Sequence, residues 1–154
     1  NTGKILQVQA DNYVGSTSTT TSTFVTVQTL TITPVAQNSK YLIRISGGYT
    51  YSYSDKYMST RVQYNENSGG WNNMLTSNSK VIATAHGANA SYLSAPHSWE
   101  FLYTPSNTTS LTSLELRTQY ASTNTTGTVQ YNAGAFFSSS QEGTVVFSCI
   151  EVGA

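Results

Sequence analysis

Charged side chains are scarce in this chain: seven Lys or Arg and seven Asp or Glu among 154 residues, 9% of the total. They balance to zero formal charge at a pI near 6.9, so no extended field draws in DNA, RNA or an anionic membrane, and nucleic-acid binding is disfavoured. A single cysteine allows no intrachain disulfide. Cys149 sits in the apolar run Val145-Val146-Phe147-Ser148-Cys149-Ile150 and reads as a small core hydrophobe rather than a reactive thiol. No apolar stretch approaches the roughly 20 residues that span a bilayer, and the N-terminus lacks a charged segment followed by an apolar one, so membrane insertion is not expected. The chain starts at Asn1 without an initiator Met, which points to a processed protein or the excised end of a longer one.

Hydroxyls take the place of charges. Ser and Thr make up about 30% of the residues, scattered through short segments in which apolar and polar side chains alternate. Thr, Val, Ile, Tyr and Phe suit a pleated, half-buried surface, and hydroxyls keep such a surface wet. With 38% hydrophobic residues the chain fits one domain over residues 1–154, long enough to bury roughly two thirds of its unfolded surface without a metal or disulfide staple. Zero net charge is poor for keeping monomers apart, which favours a surface committed to an assembly.

No segment sustains a 3.6-residue apolar period, whereas period-two stretches recur from end to end between Gly, Asn, Ser and Pro. The first expected strand is Lys4 to Gln9, followed by a solvated Ser/Thr loop from Gly15 to Thr23. In Phe24 to Thr33 the apolar phase changes between Val27 and Leu30, which predicts a bulge near Gln28. Lys40 to Ser46 places Tyr41, Ile43 and Ile45 on one face, and Gly47-Gly48 bends the chain before Tyr49, Tyr51 and Tyr53. Tyr57 to Asn65 is the next strand, Asn65 to Asn73 a long exposed turn around Trp71, and Lys80 to Ala85 a further strand. Ser98 to Thr104 carries Trp99, Phe101 and Tyr103 on one face, and its expected partner is Ser113 to Tyr120. Thr128 to Ala133 and Thr144 to Val152 complete about nine strands. The fold class is all-β: an antiparallel β-sandwich, jelly-roll-like with Greek-key order. In the last strand Val145, Phe147 and Cys149 are apolar on one face and Val146, Ile150 and Val152 on the other. A sandwich strand needs one such face, so the outer one is expected to be covered by a neighbouring subunit or by the returning chain; a subunit is preferred, which makes Val146, Ile150 and Val152 subunit-interface candidates, with a homotrimer preferred to a dimer.

Three phrases carry a resemblance: Gly3-Lys4-Ile5-Leu6-Gln7-Val8, then Ile32-Thr33-Pro34 with Ser39-Lys40-Tyr41-Leu42-Ile43, then Gly143-Thr144-Val145-Val146-Phe147 through Ile150-Glu151-Val152. Together they resemble the β-rich terminal domains of virion structural proteins from tailed bacteriophages, especially those of aquatic and cyanobacterial hosts. The resemblance implies a tail fibre, spike or capsid fibre that is trimeric and carries host recognition at an exposed tip. It brings no catalytic residues and no cofactor. The middle of the chain departs from that pattern, at Ser94-Ala95-Pro96-His97-Ser98-Trp99 and in the aromatic stretch Tyr49 to Tyr57.

His86 and His97, eleven residues apart, have no ligand spacing and read as ordinary histidines, so no metal is expected. No G-x-S-x-G context supports a nucleophile triad. Glu115 and Arg117, two apart on one face, read as an ion pair rather than half of a glycosidase dyad. The sequons at Asn89, Asn107 and Asn124 are what chance provides in a chain with twelve Asn. The best binding candidates are Trp71 with Asn72 and Asn73, and Tyr49, Tyr51, Tyr53 and Tyr57, because aromatic rings stack on sugar faces while amides fix orientation. For Tyr49, Tyr51 and Tyr53, packing between sheets or across a subunit interface is the plainer reading. Trp99, with Phe101 and Tyr103, belongs to the core.

The leading functional expectation is a non-enzymatic virion fibre or spike domain, a homotrimer on the particle surface that touches other virion proteins and binds a host-surface glycan or protein. A carbohydrate-binding module of a secreted enzyme, a ligand-free capsid or tail module, and a depolymerase are the alternatives.

Overall fold

The computed structural model describes residues 3–47, 49–52, 57–75, 83–86, 93–96, 98–122, 128–132 and 143–154. All its regular structure is β, in thirteen antiparallel segments. These are β1 (Ile5–Val14), β2 (Thr17–Thr19), β3 (Val25–Ile32), β4 (Lys40–Ser46), β5 (Tyr49–Ser52), β6 (Tyr57–Glu66), β7 (Asn72–Asn73), β8 (Ala83–His86), β9 (Leu93–Pro96), β10 (Trp99–Tyr103), β11 (Leu114–Ser122), β12 (Val129–Tyr131) and β13 (Thr144–Val152).

Hydrogen-bond pairing sorts them into one four-stranded sheet in the order β1-β13-β4-β10, a second in the order β3-β11-β6-β7 with β8 also on β6, and a third in the order β2-β12-β5-β9. Eight strands, β1, β3, β4, β6, β8, β10, β11 and β13, are thus divided between two facing sheets. Their orders are first-last-third-sixth and second-seventh-fourth-fifth, which is a jelly roll. The small third sheet prolongs the first: β2, β5 and β9 adjoin β1, β4 and β10 along the chain, and β12 takes the place of β13. The eight strands of the roll and β12 account for the nine expected, with β7 a two-residue addition.

Pairing across the sequence departs from nearest-neighbour expectation. The strand at Ser113 to Tyr120 does not pair with Ser98 to Thr104: β10 pairs β4, and β11 lies between β3 and β6. The reason is the crossover. Pro105 to Thr112 carries the chain from one sheet to the other, so consecutive strands face each other across the core. The Ser/Thr stretch Gly15 to Thr23 is not wholly loop either, since Thr17–Thr19 forms β2 and Thr19 is buried.

Local expectations fare better. The bulge is at Val27, left over where Thr118 faces Gln28 and Gln119 faces Thr26, and it brings Gln28, Leu30 and Ile32 onto one buried face. Tyr41, Ile43 and Ile45 are all buried, as are Val145, Phe147 and Cys149 on β13. They meet Leu30, Ile32, Met58, Val62, Leu114, Leu116 and Tyr120 of the facing sheet, with Trp99 and Phe101 packed at the margin. Burial pushes the Cys149 thiol up to about 12, with Glu151 adding to the effect, so it stays neutral and unreactive. Gln28, 2% exposed, ties the sheets together: its amide nitrogen donates to the carbonyls of Asp11 (2.9 Å) and Val145 (3.3 Å), and its oxygen accepts from the Tyr131 hydroxyl (3.3 Å).

Gly15, Gly47, Asn132 and Gly143 lie where the strands of the first sheet give way to those of the third, the first three at positive φ. The Asn132 amide nitrogen donates to the Gly15 and Gly143 carbonyls at 2.6 Å each, satisfying acceptors where the ladder passes from β13 to β12. Gly47 has φ +85°, and a Cβ there would lie 2.3 Å from the Thr144 carbonyl oxygen. Gly47→Ala therefore meets both left-handed strain and a backbone clash, with an expected loss of about 3 kcal/mol and a fall in Tm on the order of 10 °C. Gly70→Ala is the control. At φ +109° with nothing within 4 Å, it carries the strain alone and is expected to lose about 1 kcal/mol in the same thermal unfolding measurement.

Candidate functional site

Two outer faces remain once the core is closed, and their chemistry is opposite. On the β1-β13-β4-β10 sheet the register aligns Val8, Ile150, Leu42 and Leu102 in one row across all four strands. Val8 and Leu102 at its ends are 57% and 56% exposed, and Ile5, paired with Val152, is 59% exposed. Val146, Ile150 and Val152 are half-buried on this same face. The next row runs Ala10, Ser148, Arg44, Glu100, with Arg44 and Glu100 ion-paired at 3.0 Å.

The outer face of β3-β11-β6-β7 is polar. Opposite residues interlock as a ladder of amides and guanidinia. Asn65 donates to Glu115 at 2.6 Å, Arg117 donates through Nε and Nη2 to the Gln63 oxygen at 2.9 and 2.7 Å, and Arg61 donates through Nε to the Gln119 oxygen at 2.8 Å. Gln63 in turn donates to Asn73 at 3.0 Å, and Gln119 to Thr26 at 2.9 Å. The expected Glu115–Arg117 ion pair is thus absent. Cross-strand amides lie directly opposite each charge, whereas Glu115 and Arg117 are two residues apart on one strand and take those nearer partners.

Trp71 joins this face. Asn67 and Ser68 turn the chain at positive φ, Gly69 N–H donates to the Glu66 carbonyl and Gly70 N–H to the Asn65 side chain, and β7 brings Asn72 and Asn73 back onto β6. Buried Met74 anchors the return. The Arg117 guanidinium carbon lies 4.0 Å from the Trp71 ring centroid, and that of Arg61 lies 3.9 Å from the centroid of Phe24. Burial lowers both arginines from the ordinary arginine range, and Arg117 lowers Arg61 further; both remain cations at neutral pH.

The structure brings Trp71, Asn72 and Asn73 together, puts Tyr57 at the far end of the same β6, and places Tyr49 and Tyr51 on another sheet. Tyr49 and Tyr51 are on β5 of the small sheet, opposite Pro96 and Ser94, and Tyr57 opens β6 opposite His86. Tyr53 and His97 lie outside the described residues. Sequence reading missed Arg61 and Arg117 as ring-stacked cations. The available signal was their alternation with Gln63 and Gln119 at period two.

Two carboxylates are committed to holding loops. Glu151, 0% exposed, accepts from the Gln7 amide (2.6 Å), from Val35 N–H (3.1 and 2.9 Å to its two oxygens) and from Ala36 N–H (3.0 Å). Burial alone would raise its carboxyl, yet these donors and Ser39 hold it below the usual carboxylate range. The three sequence phrases singled out above therefore converge on one buried charge. Glu66 likewise accepts from the Tyr103 hydroxyl (2.5 Å), Ser106 N–H (2.8 Å), Ser106 hydroxyl (2.6 Å) and Asn107 N–H (3.2 Å), and is also held low against its burial. Among the described residues no three His, Cys, Asp or Glu gather as a metal site.

No protein-family model and no curated protein matches the sequence. Solved structures with a similar course include that of infectious bursal disease virus Gx strain (10% identity, 97% of this chain and 38% of that chain, TM-score 0.40). T=1 particles derived from the same virus (8%, 96% and 38%, 0.45) and its VP2 subviral particle (12%, 96% and 41%, 0.43) are similar too. This chain spans about two fifths of their length.

Proposed function

We propose that this domain is a non-enzymatic structural module at the surface of a virus particle, assembled as a homotrimer and bound to other virion proteins through the outer face of β1-β13-β4-β10. The opposite face, with Trp71, Asn72 and Asn73, meets a host-surface glycan. The observation that carries this reading is the division between the two outer faces, an apolar row on one and an amide-guanidinium ladder beside an aromatic ring on the other. The jelly roll itself supports it by analogy alone, since that architecture hosts both virus-particle and sugar-binding domains. A tail fibre or spike of a tailed phage is the specific setting that the three sequence phrases favour.

The carboxylates support a role without bond chemistry. Glu66, Glu100, Glu115 and Glu151 each hold a hydrogen-bonding or ion-pair partner of the fold itself. A carbohydrate-binding module of a secreted enzyme shares the polar face, and differs in having no use for the apolar one.

Trp71→Ala tests the recognition half. On an array of host-surface glycans the unmodified chain is expected to bind, and the variant to lose roughly tenfold in affinity, about 1.4 kcal/mol, with little change in Tm. Absence of binding by the unmodified chain would reduce the proposal to a ligand-free particle module.

A further inference from the structure

Arg61 and Arg117 are diagonal neighbours on adjacent strands, since Arg117 faces Gln63 and Arg61 faces Gln119. Like charges so placed repel. Neither has a carboxylate within ion-pair distance among the described residues, where the ion pair is Arg44–Glu100 on the other sheet. Glu115, an acid on their own face, makes its hydrogen bond with Asn65 and no ion pair with either arginine. Each guanidinium is held by the oxygen of the glutamine opposite it on the adjacent strand and lies over an aromatic ring, so its orientation is set before any ligand arrives. A guanidinium carries five N–H donors; the ladder uses one of Arg61 and two of Arg117. Two oriented, mutually repelling cations with N–H donors left over suit an anionic oxygen.

We propose that the outer face of β6 and β11 binds an acidic glycan, with Arg61 and Arg117 pairing the carboxylates of its uronate-type sugars while Trp71 and exposed Asn72 flank the chain of rings. The inference rests on the glycan reading above and adds the class of sugar. An acidic protein fits this face less well, because the side chains hydrogen-bonded around the arginines (Gln63, Asn65, Gln119, Thr26) are polar and the two rings beside them, Phe24 and Trp71, each already carry a guanidinium.

The test is titration of the 154-residue chain with oligogalacturonate, neutral dextran oligomers, a sulfated glycan and poly-glutamate, in low salt and in 0.5 M NaCl. Oligogalacturonate is expected to bind most tightly and to weaken at least tenfold in high salt, as exposed ion pairs do. Arg61→Gln and Arg117→Gln are each expected to weaken it at least tenfold, Arg117→Lys less. Arg61→Gln, whose stacking partner is Phe24 and not Trp71, keeps the test informative should Arg117→Gln fold poorly. Equal binding of dextran, indifferent to Arg61→Gln yet lost in Trp71→Ala, would overturn the acidic class and leave the glycan reading standing. Tighter binding of the sulfated glycan would overturn carboxylate selectivity, tighter binding of poly-glutamate would reassign the face to an acidic protein, and no binding of any probe would overturn both.

Discussion

Glu151→Gln is expected to remove about 3 kcal/mol of folding free energy, a fall in Tm on the order of 10 °C. The carboxylate is fully buried and every contact described for it is with a donor: two backbone N–H groups of the β3–β4 connection and the Gln7 amide of β1. An amide in its place turns one acceptor into a donor facing donors, which strands buried polar groups instead of merely weakening a bond. The same contact predicts acid sensitivity. Because the folded carboxyl is held below its unfolded value of about 4.3, its stabilisation is fully present above that pH and is lost as the pH falls through the lower folded value. Glu66 contributes with the same sign at the other turn. Chemical denaturation between pH 7 and pH 3 should show stability falling steeply below about pH 4 in the parent chain. In Glu151→Gln that acid limb should be shallower, since one of the two carboxyls held low among the described residues is gone.

Leu102→Asp is expected to dissociate the proposed trimer while leaving the fold intact. Leu102 ends the row Val8, Ile150, Leu42, Leu102, and at 56% exposure an aspartate there stays solvated in an isolated subunit. In a trimer that covers the row, it becomes a buried unpaired charge costing several kcal/mol at every interface. Sedimentation should move from trimer to monomer, with the circular dichroism spectrum unchanged.

How much of this was legible beforehand follows the range of the interactions. β4 and β13 were readable to the residue because alternation along one strand sets which side chains face inward, and the Val27 bulge was visible as a change of phase between Val27 and Leu30. The turn around Trp71 was legible from its Gly and Asn content, though not the return of Asn72–Asn73 onto β6. Pairing was not legible. β10 lies beside β4 across more than fifty residues, and nothing in either strand names its partner. Glu151 was legible only as part of the closing phrase Ile150-Glu151-Val152, since its partners Gln7 and Val35 are 144 and 116 residues away. Arg117 was assigned to the wrong partner because period-two spacing reports a shared face, while the stronger contact came from Gln63 on the adjacent strand.

Light scattering of the unmodified chain at tens of micromolar bears most directly on the claim that its apolar outer face is an assembly surface. A mass three times the 16.6 kDa of one chain is the expected result. A single 16.6 kDa species would contradict it, and would leave the row from Val8 to Leu102 as exposed surface without a partner.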